Sequence, residues 1–201
     1  MNVETGPSIA VEPRHDAGRR TSFLDPGNGL RRYGASLREL AIRPSHFYGE
    51  AFLQPDLKDV ARFSMFSGLL LAAGLSLLET AVGRSWTVAA VSLILLLTLP
   101  FLFLLASYVW AYFMKTTASL LGETVPFDTA RVVAGYSMAG LLPLMLGRFG
   151  SWLALATILL QVLGLERGLG CSRFKATVLT LFPTAIAALF SLFYTFMFEV
   201  F

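Results

Sequence analysis

VAAVSLILLLTLPFLFLLASYVWAYF, residues 88–113, runs for 26 positions without a charged side chain. A surface helix of a soluble domain keeps a polar face toward water, and this stretch has none. About 20 apolar residues cross the roughly 30 Å hydrocarbon core of a bilayer, so the segment reads as a transmembrane helix long enough to tilt, with Pro100 placed to kink it. The whole chain agrees: of its 201 residues 55% are hydrophobic and 14% charged, and the mean hydropathy is +0.65. That is the composition of a membrane-embedded protein.

Working outward, four further apolar runs stand at 63–82, 132–146, 149–165 and 177–198. Glu79 lies near the far end of the first. The runs at 132–146 and 149–165 are short, and Arg148 between Gly147 and Gly150 makes the turn that joins them, so a hairpin that only partly penetrates stays open beside two full crossings. The last run contains Pro183 and ends in Phe190, Phe193, Tyr194, Phe196, Phe198 and Phe201, an aromatic crowd that fits an interfacial anchor. The expected fold is therefore all-α, a polytopic transmembrane helical bundle of about five spans over residues 63–201.

Toward the N-terminus the pattern changes. Leu37, Leu40, Ala41, Phe47, Tyr48, Ala51 and Phe52 recur at three- and four-residue spacings while Arg38, Glu39, Arg43 and Glu50 fall elsewhere, so residues 36–62 read as amphipathic helices along the membrane surface. Pro44 and Pro55 suit first helical positions, and Asp56 and Asp59 favour the second start through its positive dipole end. Residues 1–35 are broken by Gly6-Pro7, Pro13 and Pro26-Gly27 and read as a disordered cytoplasmic arm. That arm has no apolar core of the kind a cleaved secretory signal carries, so the first span is expected to serve as the insertion signal.

Charge sets the expected orientation. With the N-terminus inside, 14 of the 16 Lys/Arg lie on that side, and only Arg84 and Arg148 lie opposite. Short loops follow this bias, which predicts a cytoplasmic N-terminus and a non-cytoplasmic C-terminus. A net charge of +3 with no Lys/Arg cluster among stacking aromatics argues against nucleic acid. Cys171 is the single cysteine, so no internal disulfide and no cysteine-rich zinc site can form. In its loop beside Arg173 and Lys175 the thiol could have a lowered pKa or accept a lipid, with a small reduced loop residue as the plainer reading.

Catalysis needs convergent titratable groups, and the spans supply almost none. Gln161 is the one strongly polar side chain near a helix middle, and an interhelical hydrogen bond is its expected role. His46 and Glu50 share an i, i+4 face but lack a third ligand, so no metal site, no cofactor and no enzymatic activity are expected. Ser64, Gly68, Ala72 and Ser76 form a small-residue stripe on the first span, and Ala176, Thr180, Thr184 and Ala188 form one on the fifth. Such faces pack helices closely, within the bundle or between two copies, leaving a homo-oligomer open. Leu71 and Leu189 are expected to face lipid or looser contacts.

The stretch Phe127-Asp-Thr-Ala-Arg131-Val-Val-Ala-Gly135-Tyr136-Ser137, then Pro143, a glycine-flanked turn, Cys171-Ser172-Arg173-Phe174-Lys175-Ala176 and Pro183 in the last span, resembles the Yip (Ypt/Rab-interacting protein) membrane-domain family. The five-span layout agrees, and the likeness covers residues 43–198, including an Arg43-Pro44-Ser45-x-Phe47 lead-in similar to that of prokaryotic members. Of the aspartate-leucine-tyrosine-glycine-proline motif of eukaryotic members only Asp56-Leu57 remains, which points to a bacterial inner membrane rather than a eukaryotic endomembrane. The resemblance implies a non-enzymatic adaptor that recruits partners. The expected partner-binding residues are Phe47, Tyr48 and Phe52 on the amphipathic helices, Gly135 and Tyr136, and Arg173 and Lys175 in a cytoplasmic loop. The expected partners are membrane lipid and a protein at the cytoplasmic face. The alternative is a small oligomeric transporter or channel subunit, with Pro100, Pro143 and Pro183 as helix breaks around a path.

Overall fold

The computed structural model describes residues 29–53, 56–82, 86–146 and 148–200. Helix α1 (Gly29–Ile42) turns through Arg43 into α2 (Pro44–Leu53). The Arg43 amide donates to the Glu39 carbonyl at 2.7 Å and closes the first helix. Its own carbonyl accepts from His46 and Phe47 and opens the second, where Pro44 sacrifices no hydrogen bond. The arm expected over 1–35 lies outside the described residues as far as position 28, and from Gly29 onward the chain is already helical.

Helix α3 (Leu57–Val82) is capped by Asp56, whose Oδ1 accepts the Lys58 amide at 2.9 Å and the Asp59 amide at 3.4 Å. The helix then runs unbroken to Val82, so the residues from Leu57 to Arg62 are the first turns of a span rather than a separate interfacial helix. Position 55 lies outside the described residues. Helix α4 (Trp86–Leu120) continues through Pro100, whose missing N–H leaves the Leu96 carbonyl without its helical donor. It ends in a Schellman turn. Gly122 takes the left-handed conformation at φ 73°, the Glu123 amide reaches the Ala118 carbonyl at 2.9 Å, and the Gly122 amide reaches Ser119.

Helix α5 (Phe127–Ser137) is buried almost all round, from Ala130 to Gly135 without interruption, and packs on α3 and α4. It passes into a 3₁₀ segment (Met138–Leu146) that contains Pro143. Two shorter helices follow, α6 (Arg148–Leu153) and α7 (Ala156–Leu169), separated by a turn at Ala154 and Leu155. Helix α8 (Arg173–Val200) closes the chain. Among the described residues there is no strand, and three stretches are long and apolar enough to cross a membrane: Leu57–Leu78, Ala89–Leu120 and Phe127–Leu146.

Most of the described residues of the small-residue stripes pack inside the chain. Ser64 Oγ donates to the Gly135 carbonyl of α5, Gly68 meets the backbone of Leu99 and Pro100, and Ser76 Oγ donates to the Ser92 carbonyl of α4. Ala72 is fully buried. On α8, Ala176 and Thr180 are fully buried and Thr184 is half-buried; the side chain of Ala188 lies outside the described residues. Leu71 departs from expectation: it is 4% exposed and belongs to the buried core, while Leu70 next to it is exposed. Leu189 is exposed as expected.

Candidate functional site

The end of the bundle where α3, α5 and α8 begin and α4 and α7 finish carries most of the described charge. Helices α1 and α2 are built onto this end by three kinds of contact. The first is aromatic. Phe47 meets Tyr136 edge-on at 4.7 Å between ring centroids, Phe63 meets Tyr136 at 4.9 Å, and Tyr33 meets Phe63 at 5.0 Å. These separations and tilts are those at which ring quadrupoles attract.

The second contact is ring on glycine. A Cβ on Gly164 would stand 3.0 Å from Tyr48 Cζ, and one on Gly168 would stand 2.5 Å from Phe52 Cζ, so α2 lies against α7 only because both α7 positions are glycine. Their four-residue spacing in Gly164-Leu-Glu-Arg-Gly168 is the sequence signal of this close-approach face. Gly135 serves α3 in the same way, since a Cβ there would collide with Val60 Cγ1.

The third contact is polar. Arg32 reaches the buried Asp59 carboxylate at 3.3 Å, Arg62 reaches it at 3.5 Å from the other side, and the Tyr33 hydroxyl lies 3.1 Å from Ser67 Oγ. Burial pushes the Tyr33 hydroxyl above its ordinary range, and the hydrogen bond with Ser67 offsets part of that. The junction of the two helices is pinned on its outer face: His46 Nδ1 lies 2.9 Å from Glu39 Oε1 and its Nε2 lies 3.7 Å from Glu50 Oε1. Glu39 is the third group that the His46 and Glu50 spacing lacked, contributed from α1, and the three donor atoms lie within 4.8 Å of one another. Both imidazole nitrogens already face a carboxylate, so the arrangement works as a helix-to-helix clasp.

The sequence-expected partner residues divide accordingly. Phe47 and Tyr48 are 8% and 0% exposed, Gly135 is buried, and Tyr136 is half-buried, so these four and the half-buried Phe52 form the inner seam that holds α2. An amphipathic pattern marks one face for burial without saying whether lipid, a partner or the chain itself covers it. Here the chain does. Arg173 and Lys175 are exposed, Arg173 paired with Glu166 at 3.2 Å and Lys175 with Glu123. Cys171 is half-buried, with Sγ 3.7 Å from the Leu165 carbonyl, and burial pushes its thiol up rather than down.

Two buried polar features complete the picture. Gln161 takes its expected role, donating from Nε2 to Ser137 Oγ at 3.3 Å where α5 gives way to the 3₁₀ segment. Arg131, in the second turn of α5, is buried, with its guanidinium 3.8 Å from the centre of the Tyr108 ring. That is a cation–π contact between a buried guanidinium and an exposed ring.

Together these features define the class: an all-helical membrane protein whose N-terminal helices are folded onto one end of its bundle. Comparison with protein-family models gives no match, and comparisons with the curated proteins and with the solved structures give none either.

Proposed function

We propose that the chain is a five-crossing, non-enzymatic membrane adaptor of the Yip type, with its N-terminus and the α1–α2 platform in the cytoplasm of a bacterial cell. The reading rests first on the platform itself. Two helices held by rings, glycines and an ion cluster present Arg38, Arg43 and His46 outward on a rigid base. A surface already ordered before binding loses little entropy when a partner docks, which favours recruitment. The residue likeness over 43–198 supports the family, and the split of 14 Lys/Arg against two supports the orientation. Helix α8, 28 residues and so about 42 Å long, has the length for a further crossing, as have α6 and α7 taken together.

The test is crosslinking in cells with and without the double substitution Arg38→Glu and Arg43→Glu. Both side chains are exposed and outside the core, so folding should persist while the crosslinked partner is lost. Deleting residues 1–42 would be a poorer test, because it removes the buried Tyr33 and Leu40. Reporters after Phe201 and at Gly170 should read non-cytoplasmic and cytoplasmic respectively; matching signals would refute five crossings. A second reading, a small transporter or channel subunit, is favoured by the interruptions at Met138 and Ala154 beside the buried Ser137, Gln161 and Thr157, since broken helices with polar residues mark substrate sites in transporters. Solute flux in liposomes together with unchanged crosslinking would decide for it.

A further inference from the structure

Arg131 carries a charge that the described residues do not answer. It is 8% exposed, and its Nε is shut off from the surface with no hydrogen-bond partner. Among the described residues no carboxylate pairs with it; Asp128, three residues earlier on α5, is exposed and makes no ion pair with it. Nη1 and Nη2 make no hydrogen bond among these residues either, and unlike Nε they are not shut off. The guanidinium rests on the Tyr108 ring alone. A buried charge without a counter-ion is costly, and one aromatic face does not replace that counter-ion.

The position of this charge along the bundle says where the counter-ion comes from. About 20 residues of helix cross roughly 30 Å of hydrocarbon, and counted from Ala89, where the apolar stretch of α4 starts, that length ends beside Tyr108. On α5 the apolar stretch starts at Phe127, whose ring centre lies 6.5 Å from that of Tyr108. Both helices therefore set the membrane edge at one level. Arg131 stands four residues inside Phe127, about 6 Å, and a helical side chain leans back toward its N-terminus, which carries the guanidinium to that edge. Tyr108 and Tyr112, one turn further out, are exposed there, as tyrosines at a membrane interface are. The anions that populate this level are lipid phosphates, and the fork of a guanidinium matches phosphate oxygens in pairs.

We propose that Arg131 is a phospholipid site, in which Nη1 and Nη2 donate to the phosphate oxygens of one lipid held against α4 and α5. Tyr108 backs the guanidinium and fixes its direction, and an acyl chain descends along the exposed Leu105 and Phe101 on the same side of α4. The site depends on α4 and α5 lying in a bilayer and not on the adaptor reading, so either can fail without the other.

The test uses the purified full chain in detergent micelles supplied with dioleoylphosphatidylglycerol or with dioleoylglycerol, which has the same acyl chains and no phosphate. Retained lipid is counted by native mass spectrometry, and Tm is read with and without lipid. One phosphatidylglycerol should be held in preference to dioleoylglycerol by about tenfold, the ratio that a hydrogen bond to a charged group supplies, and it alone should raise Tm. Arg131→Met and Arg131→Gln should each abolish the preference and the rise, while lipid-free Tm stays level or increases because no unanswered charge is buried. Arg173→Gln, at an exposed cation paired with Glu166, should leave retention as it was. Equal retention of the two lipids by the unsubstituted chain would overturn the proposal, as would undiminished preference in both Arg131 variants. A lower lipid-free Tm in both variants would overturn it too, by showing that the charge has its partner inside the chain. A rise in Tm with inorganic phosphate equal to that with phosphatidylglycerol would assign the site to a free anion instead of a lipid. With benzoylphenylalanine in place of Tyr112, illumination of cells should link the chain to lipid; a protein adduct that Arg131→Met removes would give the guanidinium to an acidic partner and overturn the lipid assignment.

Discussion

Gly68→Ala adds one methyl group where the structure has no room for it. The new Cβ would lie 2.8 Å from the Leu99 carbonyl oxygen and 2.8 Å from Pro100 Cα, both backbone atoms that cannot swing aside. An ordinary contact begins at 3.4 Å, so α3 and α4 must separate by about 0.6 Å at their point of closest approach. Overpacking of this kind costs about 1–3 kcal/mol. Alanine recovers about 0.5–1 kcal/mol through its better helix propensity, leaving a net loss of about 1 kcal/mol. Gly34 supplies the matched control, because a Cβ there meets nothing within 4 Å and only the propensity gain should appear. The two variants should therefore differ by about 2 kcal/mol in opposite directions, or roughly 4–8 °C in Tm for a chain of this size. Thermal unfolding in one detergent, followed by intrinsic fluorescence, measures the difference. A Gly68→Ala chain as stable as Gly34→Ala would refute the close packing of α3 on α4.

Two further perturbations probe the seam under α2 and the loop thiol. Tyr48→Phe should leave stability unchanged or slightly raised, because the fully buried hydroxyl finds no partner among the described residues, whereas Tyr48→Ala should cost about 3–5 kcal/mol by opening a cavity against Gly164. Burial raises the Tyr48 hydroxyl pKa, so the folded chain holds its proton longer than the unfolded chain. Its contribution is complete below about pH 10 and is lost above it, and denaturant titrations of wild type and Tyr48→Phe should converge at neutral pH and diverge in alkali. Cys171 should react with maleimide more slowly than a free thiol at pH 7, since burial keeps it protonated; fast labelling at that pH would contradict the half-buried position.

Gln161 and Cys171 show how far local chemistry could be read in advance. A lone amide in an apolar helix must find a neighbour, so its hydrogen bond was legible while the identity of that neighbour, Ser137, was not. For Cys171 beside Arg173 and Lys175, an activated thiol stood as the alternative to a small reduced loop residue. The structure turns both cations toward Glu166 and Glu123 and leaves burial as the stronger influence. Phe47 and Tyr48 carried the largest change of meaning, from a docking surface to an internal seam, because the groups that cover them, Tyr136 and Gly164, are about 90 and 116 positions away in the chain.

Composition and periodicity by themselves determined that the chain is helical and membrane-embedded and that Pro44 opens one helix, while the second start was placed at Pro55, which lies outside the described residues, and the structure begins that helix at Leu57 behind the Asp56 cap. The first two depend on quantities that a local stretch carries alone: apolar length and a missing amide hydrogen. Only the tertiary structure decided which apolar faces turn inward. Leu70 and Leu71 are adjacent and chemically identical, yet one is exposed and the other is buried in the core. In a bilayer the outside of a helix bundle is as apolar as the inside, so hydrophobicity does not separate the two. What separates them is the fit of rings and backbones onto small residues such as Gly68, Gly135, Gly164 and Gly168, and that fit exists only once the helices have met.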